Sequence, residues 1–134
     1  MPIRYEIFTE LNVAYFCWEG EVTLRDYREA VEAYTSHSEF RSGMPELIDT
    51  SRLTSVKMEF RDMLGAAYKA ASAYNSVATR SVVWVPSDRI FPFARMMQQL
   101  AGTTTGLSVE IVRSEREALD ALGLDIERIA VLRP

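Results

Sequence analysis

Residues Arg80 to Leu100 read RSVVWVPSDRIFPFARMMQQL. Val82, Val83, Trp84 and Val85 form an apolar run that stops at Pro86. Such a run, bounded by a breaker, predicts a strand buried inside a parallel sheet. Ser87, Asp88 and Arg89 supply a short polar loop. Pro92 then opens a helix, because its missing N–H costs nothing in a first helical turn. Phe93, Met96, Met97 and Leu100 recur at three- and four-residue spacing and form one apolar stripe. Met96 and Met97 are consecutive and cannot share one direction, so one of them is expected at an exposed or interface position.

The rest of the chain repeats this strand–helix alternation. Ile3, Tyr5 and Ile7 alternate with Arg4 and Glu6, which predicts a half-buried strand over 3–9. Leu11 and Asn12 connect it to a second strand over 12–19, apolar on both faces and expected near the middle of the sheet. The two are read as an antiparallel hairpin. After Gly20, Glu21 and Val22, Thr23 is an N-cap with Asp26 three residues on, and the helix is expected to reach about Ser36. A short strand from Pro45 to Asp49 follows and leads into the polar stretch Thr50 to Ser55. A second helix is expected from about Glu59 to Asn75, with Phe60, Met63, Leu64, Ala67, Ala71 and Tyr74 on one face. Gly102 to Gly106 ends the third helix. Leu107 to Arg113 is a last strand with polar residues on one side, the mark of a sheet edge. Ser114-Glu115-Arg116-Glu117 is a capping box, and Gly123 ends that helix. The order is ββαβαβαβα: an α/β fold with a mostly parallel five-stranded sheet and right-handed βα crossovers. We read residues 1–134 as a single domain. Its core spans 3–122, and the apolar tail 123–134 docks either on this domain or on a partner chain. One layer of helices on the sheet is expected, with extra cover from the tail.

Composition narrows the function classes. The chain has 134 residues, 48% hydrophobic and 25% charged, a globular balance. A formal net charge of −4 argues against a generic nucleic-acid partner. No apolar run approaches the roughly 18 residues that span a bilayer. The N-terminal residues lack the apolar core of a signal peptide, so a cytoplasmic protein is expected. The single cysteine, Cys17, allows no intrachain disulfide, and with the single histidine, His37, it is too little for a structural zinc site. Cys17 lies within Val13 to Trp18 and reads as a small buried hydrophobe. His37 reads as a cation at a helix C-terminus. No metal and no cofactor is expected.

Several segments taken together resemble a known family. They are the element order, Leu47-Ile48-Asp49-Thr50-Ser51, the strand Val82–Pro86 and Phe91-Pro92-Phe93-Ala94-Arg95-Met96, with Glu117-Ala118-Leu119 in the capped last helix. They resemble the SpoIIAA-like superfamily over roughly residues 3–122, nearest to small bacterial proteins described as STAS/SEC14-like domains. The resemblance implies a sheet wound as consecutive βα turns, and relatives that act as binding or regulatory modules rather than enzymes. Anti-sigma-factor antagonists of this superfamily carry a phosphorylatable serine in an Asp-Ser-Ser-Gly-like turn. The matching stretch here, Val56 to Phe60, has neither a hydroxyl residue nor a glycine. This departs from the partner-switching pattern.

Candidate site residues follow from topology. Ligands of open α/β sheets gather beyond the carboxyl ends of the parallel strands. That rim would bring together Asp49, Thr50, Ser51, Ser87, Asp88 and Arg113, with Arg95 in the adjoining helix. Asp49 and Asp88 are a conceivable acid/base pair of a hydrolase, against a plain reading in which each ties down its own loop. No third group completes a nucleophilic triad. No Gly-rich phosphate fingerprint follows any strand. Arg95 is read either as an anion-binding residue or as a partner of a nearby carboxylate. The leading expectation is a non-catalytic module acting on a protein partner or on itself as a homodimer. The alternative is a carrier of a small apolar or anionic, lipid-like ligand. Least favoured is an enzyme using Asp49 and Asp88.

Overall fold

The period-two pattern of the first residues becomes β1 (Ile3–Phe8), which turns through residues 9–12 into the antiparallel β2 (Val13–Thr23). The computed structural model describes residues 2–73, 79–102 and 107–134, less the side chains of 67, 68, 70, 71 and 73. After β2 come α1 (Leu24–Thr35), β3 (Glu46–Lys57), α2 (Phe60–Ala73), β4 (Thr79–Trp84), α3 (Phe91–Ala101), β5 (Leu107–Val112) and α4 (Glu115–Ala121). The five strands form one sheet in the order β1-β2-β3-β4-β5, parallel except for the β1–β2 pair. The expected fold class and element order are therefore observed, with β2 inside the sheet and β5 at an edge.

Local chemistry explains the helix starts. The Thr23 hydroxyl accepts from the Asp26 N–H at 3.2 Å, and the Asp26 carboxylate accepts from the Thr23 N–H at 2.9 Å. This is a full capping box with aspartate in the glutamate position. Ser114 caps α4 by accepting from the Glu117 N–H at 3.1 Å. Pro92 stands in the first turn of α3, as expected. Gly123, at φ 64°, takes the left-handed conformation that ends α4.

Three expectations are corrected. The strand read as Pro45–Asp49 runs instead from Glu46 to Lys57, and the polar stretch Thr50 to Ser55 is not a loop. Serines and threonines read as turn formers. Here β2 also continues, to Thr23, and offers its backbone groups to Arg52 through Lys57. Gly20-Glu21-Val22 is thus strand rather than connector. Register shifts interrupt this pairing, and Gly20, at φ 65°, adopts at one of them a backbone that residues with a Cβ avoid. The third correction concerns layers. Phe16, Trp18 and Val83 face α1 and α3, where Tyr34 and Ala94 meet them. On the other face, Tyr15, Cys17, Leu47 and Val82 are covered by Leu119 of α4 and by Leu124, Ile129 and Leu132 of the tail. The sheet is therefore buried on both faces, and the tail docks on its own chain. Of the stripe expected on the second helix, Tyr74 and the side chains of Ala67 and Ala71 lie outside the described residues. So does the turn 103–106.

Candidate functional site

At the carboxyl ends of β4 and β5 the register aligns Asp49 with Trp84, and Trp84 with Val112, so Asp49 lies level with the rim although its own strand runs on. Asp49 is fully buried on the tail side of the sheet. One carboxylate oxygen accepts from the Ser51 N–H at 2.9 Å and from the Ser51 hydroxyl at 2.6 Å. The other accepts from the Tyr15 hydroxyl at 2.5 Å and from the Arg133 guanidinium at 3.2 Å. Four donors on two oxygens satisfy a buried carboxylate, whose charge would otherwise be costly to bury. Burial, and next the bond to Asp49, push the Tyr15 hydroxyl far above its ordinary range and keep its proton on. Burial likewise pushes up the nearby Cys17 thiol, which makes it a poor nucleophile.

The other expected residues have separate duties. The Thr50 hydroxyl donates to the Trp84 carbonyl at 2.7 Å and ties β3 to the end of β4. Ser87 accepts the Arg89 N–H at 3.2 Å, and its carbonyl accepts the Phe91 N–H at 3.2 Å, so it shapes the entry to α3. Asp88 is exposed and pairs with Arg113. Arg113 also donates to the Val85 carbonyl at 2.7 Å and lies 4.8 Å from the centre of the Phe91 ring. Arg95 pairs with Gln98 along its own helix. The structure thus joins Asp49 to Ser51 and Asp88 to Arg113, each with its own partners. Arg133 and Tyr15 carry no local signal of their role, since they meet Asp49 from 84 and 34 residues away.

A second constellation lies on the helical face. Trp18, Tyr27, Met97, Leu107 and Val109 line two adjoining lobes of a cavity, each of about 50 Å³. The first lobe is closed by Met58, Met63 and Phe93, the second by Ile3, Phe16 and Val31. The second lobe also contains Glu46 and Ser81, only 4% and 3% exposed, with the Ser81 hydroxyl donating to the Glu46 carboxyl at 2.6 Å. A groove of about 430 Å³ between α1 and α2 shares Tyr27 and Val31 with this lobe. Sequence reasoning missed Glu46. The available signal was an acid two residues before Ile48, hence on the same face of an otherwise apolar strand. Among the described residues, no three of histidine, cysteine, aspartate and glutamate stand together as metal ligands. No helix among them is long and apolar enough to cross a membrane.

No family model matches this sequence. No curated protein matches it either. Solved structures do. An uncharacterized protein of the DUF3478 family from Shewanella loihica PV-4, with a SpoIIAA-like fold, superimposes with a TM-score of 0.57 at 19% identity. The match covers 90% of this chain and 91% of that one. The anti-sigma factor antagonist SpoIIAA, in its unphosphorylated form, gives a TM-score of 0.54 at 17% identity, over 90% of this chain and 97% of that one.

Proposed function

Starting from a SpoIIAA-like fold, we propose that the chain is a non-catalytic, cytoplasmic binding module that pairs with a second copy of itself. One observation carries this reading: Phe60, at the start of α2, is 54% exposed. Beside its turn lies a groove of about 450 Å³ lined by Val56, Met58, Pro92 and Met96. An aromatic side chain next to an apolar groove fits a self-complementary two-fold interface, in which each Phe60 enters the other copy's groove. Lys57, Glu59, Arg61 and Asp62 alternate in sign around Phe60, so two copies meet there without a block of like charge. The anti-sigma factor antagonist that shares the fold is, by its name, a protein that acts on another protein, which supports an interaction role. The rim supports a non-enzyme. Asp49 is saturated by donors, Asp88 is held by Arg113, and the Cys17 thiol is buried. Light scattering at high micromolar concentration is expected to give the mass of a dimer, and Phe60→Ser that of a monomer. A wild-type monomer would sink the self-association.

The cavity favours a second reading, a carrier of a small ligand. Its walls are apolar, its volume is finite, and Glu46 supplies a polar group inside it.

A further inference from the structure

We infer that the first lobe of the cavity, the one closed by Met58, Met63 and Phe93, takes a compact neutral apolar molecule no larger than a single ring; this rests on the carrier reading. Among the described residues that line this lobe none is charged, and only Trp18 and Tyr27 bring polar side-chain atoms. Burial is the first cause that pushes the Tyr27 hydroxyl up to about 12, so it stays a neutral phenol. A charged head set against such walls loses its hydration and gains no counter-charge. Water is poorly held there too. A buried water needs about two to four polar partners, whereas an apolar cavity stays dry and takes apolar guests.

The walls set the size of the guest. Trp18 has Tyr27 and Phe93 each 6.0 Å from its ring, tilted to it by 57° and 49°, and these three rings form the stiff part of the lining. Met63 and Met97 form an adjustable part, since methionine is unbranched and its thioether packs well against aromatic rings. The lobe measures about 50 Å³, room for a few water-sized spheres. With the methionine side chains moved aside it admits one ring, and a long acyl chain exceeds it. Tyr27 and Ala66 line both this lobe and the groove between α1 and α2, so the way in from solvent runs between those helices.

The chain's own methionines report on this site. Met63 and Met97 line the lobe, whereas Met44 is buried elsewhere in the core and Met96 lies on the groove beside Pro92. Methyl resonances of the full chain with isotope-labelled methionine are followed during titration with toluene, benzylamine and benzoate, which share a ring and differ in charge. Toluene is expected to shift Met63 and Met97 saturably at low millimolar concentration, with Met44 and Met96 unmoved. It should bind about tenfold tighter than either charged compound. In Ala66→Leu, checked for folding by near-ultraviolet circular dichroism, the larger side chain fills the lobe and the toluene response should vanish; a folded variant that keeps it overturns the site. Should this variant fail to fold, the pattern of methyl shifts on the wild-type chain decides alone. Toluene shifts spread equally over all four methionines also overturn the site. Equal or tighter binding of benzylamine or benzoate at Met63 and Met97 overturns the neutral class and leaves the carrier reading standing. Silence of Met63 and Met97 towards all three compounds overturns both.

Discussion

Asp49 draws its donors from Tyr15 on β2, Ser51 on its own strand and Arg133 in the tail. The buried carboxylate thus connects the sheet's centre to residues near the end of the chain, and this network can be tested by its contribution to stability. Hydrogen bonds to charged groups are worth about 1.5–3 kcal/mol, and Tyr15→Phe removes one without changing shape. Urea unfolding should therefore show a loss of that size. A change below about 0.5 kcal/mol would mean that the network does not hold the fold. Asp88, whose side chain is 96% exposed in its pair with Arg113, serves as the control: Asp88→Ala should leave the urea midpoint where it is. The sequence marks Asp49 as an acid near the end of a strand. It does not mark Tyr15 or Arg133 as its partners, because a contact between distant positions leaves no trace in local pattern. Arg95 shows the opposite limit. Its place in α3 is legible, but its pairing with Gln98 follows from a side-chain choice made on the folded surface.

At the scale of elements, the tail is the instructive case. Ile129, in a short 3-10 turn over Ile129–Leu132, is fully buried, while Val131 in the same turn is 68% exposed. Deleting buried methyl and methylene groups costs about 2–5 kcal/mol for isoleucine to alanine, because transfer energy is lost and a cavity is left. Ile129→Ala is thus expected to lower the melting temperature strongly, and Val131→Ala to leave it nearly unchanged. Equal melting of both variants would show that the tail does not close the core. Apolar content alone predicted that the tail docks somewhere. The face it covers depends on Tyr15, Cys17 and Leu47 presenting apolar surface behind the sheet. Helix starts were legible to the residue at Thr23 and Ser114, since capping is a matter of nearest neighbours. The length of β3 was not. A strand continues only as far as its neighbour supplies hydrogen bonds, and that neighbour, β2, is distant in sequence.

At the scale of the whole molecule, both sheet faces are covered, and the tyrosines packed against them record it. Burial is the first cause pushing Tyr27 from its ordinary 10.0 to about 12, and it moves Tyr15 and Tyr34 further in the same direction. Unfolded tyrosine loses its proton near pH 10, while the folded chain keeps it, so above that point the folded state binds more protons. The stability from these buried hydroxyls is complete below about pH 10 and is lost as pH rises through the folded values. The urea midpoint should fall steadily from about pH 10 to 12, together with rising tyrosinate absorbance; a flat midpoint across that window would contradict the burial of these tyrosine hydroxyls. The sequence by itself determined the element order, the parallel sheet, the hairpin and the caps, because periodicity and capping are short-range properties of a chain. The tertiary structure alone decided how far β3 runs, that α4 and the tail form a second layer, and which donors meet Asp49. It alone placed Glu46 at a cavity. Each of these is set by burial and by pairing across distances at which neighbouring residues carry no information. Arg80–Leu100 thus announced its strand and helix in advance, whereas the cavity beneath that helix exists only once Trp18, Tyr27 and Val109 converge on it.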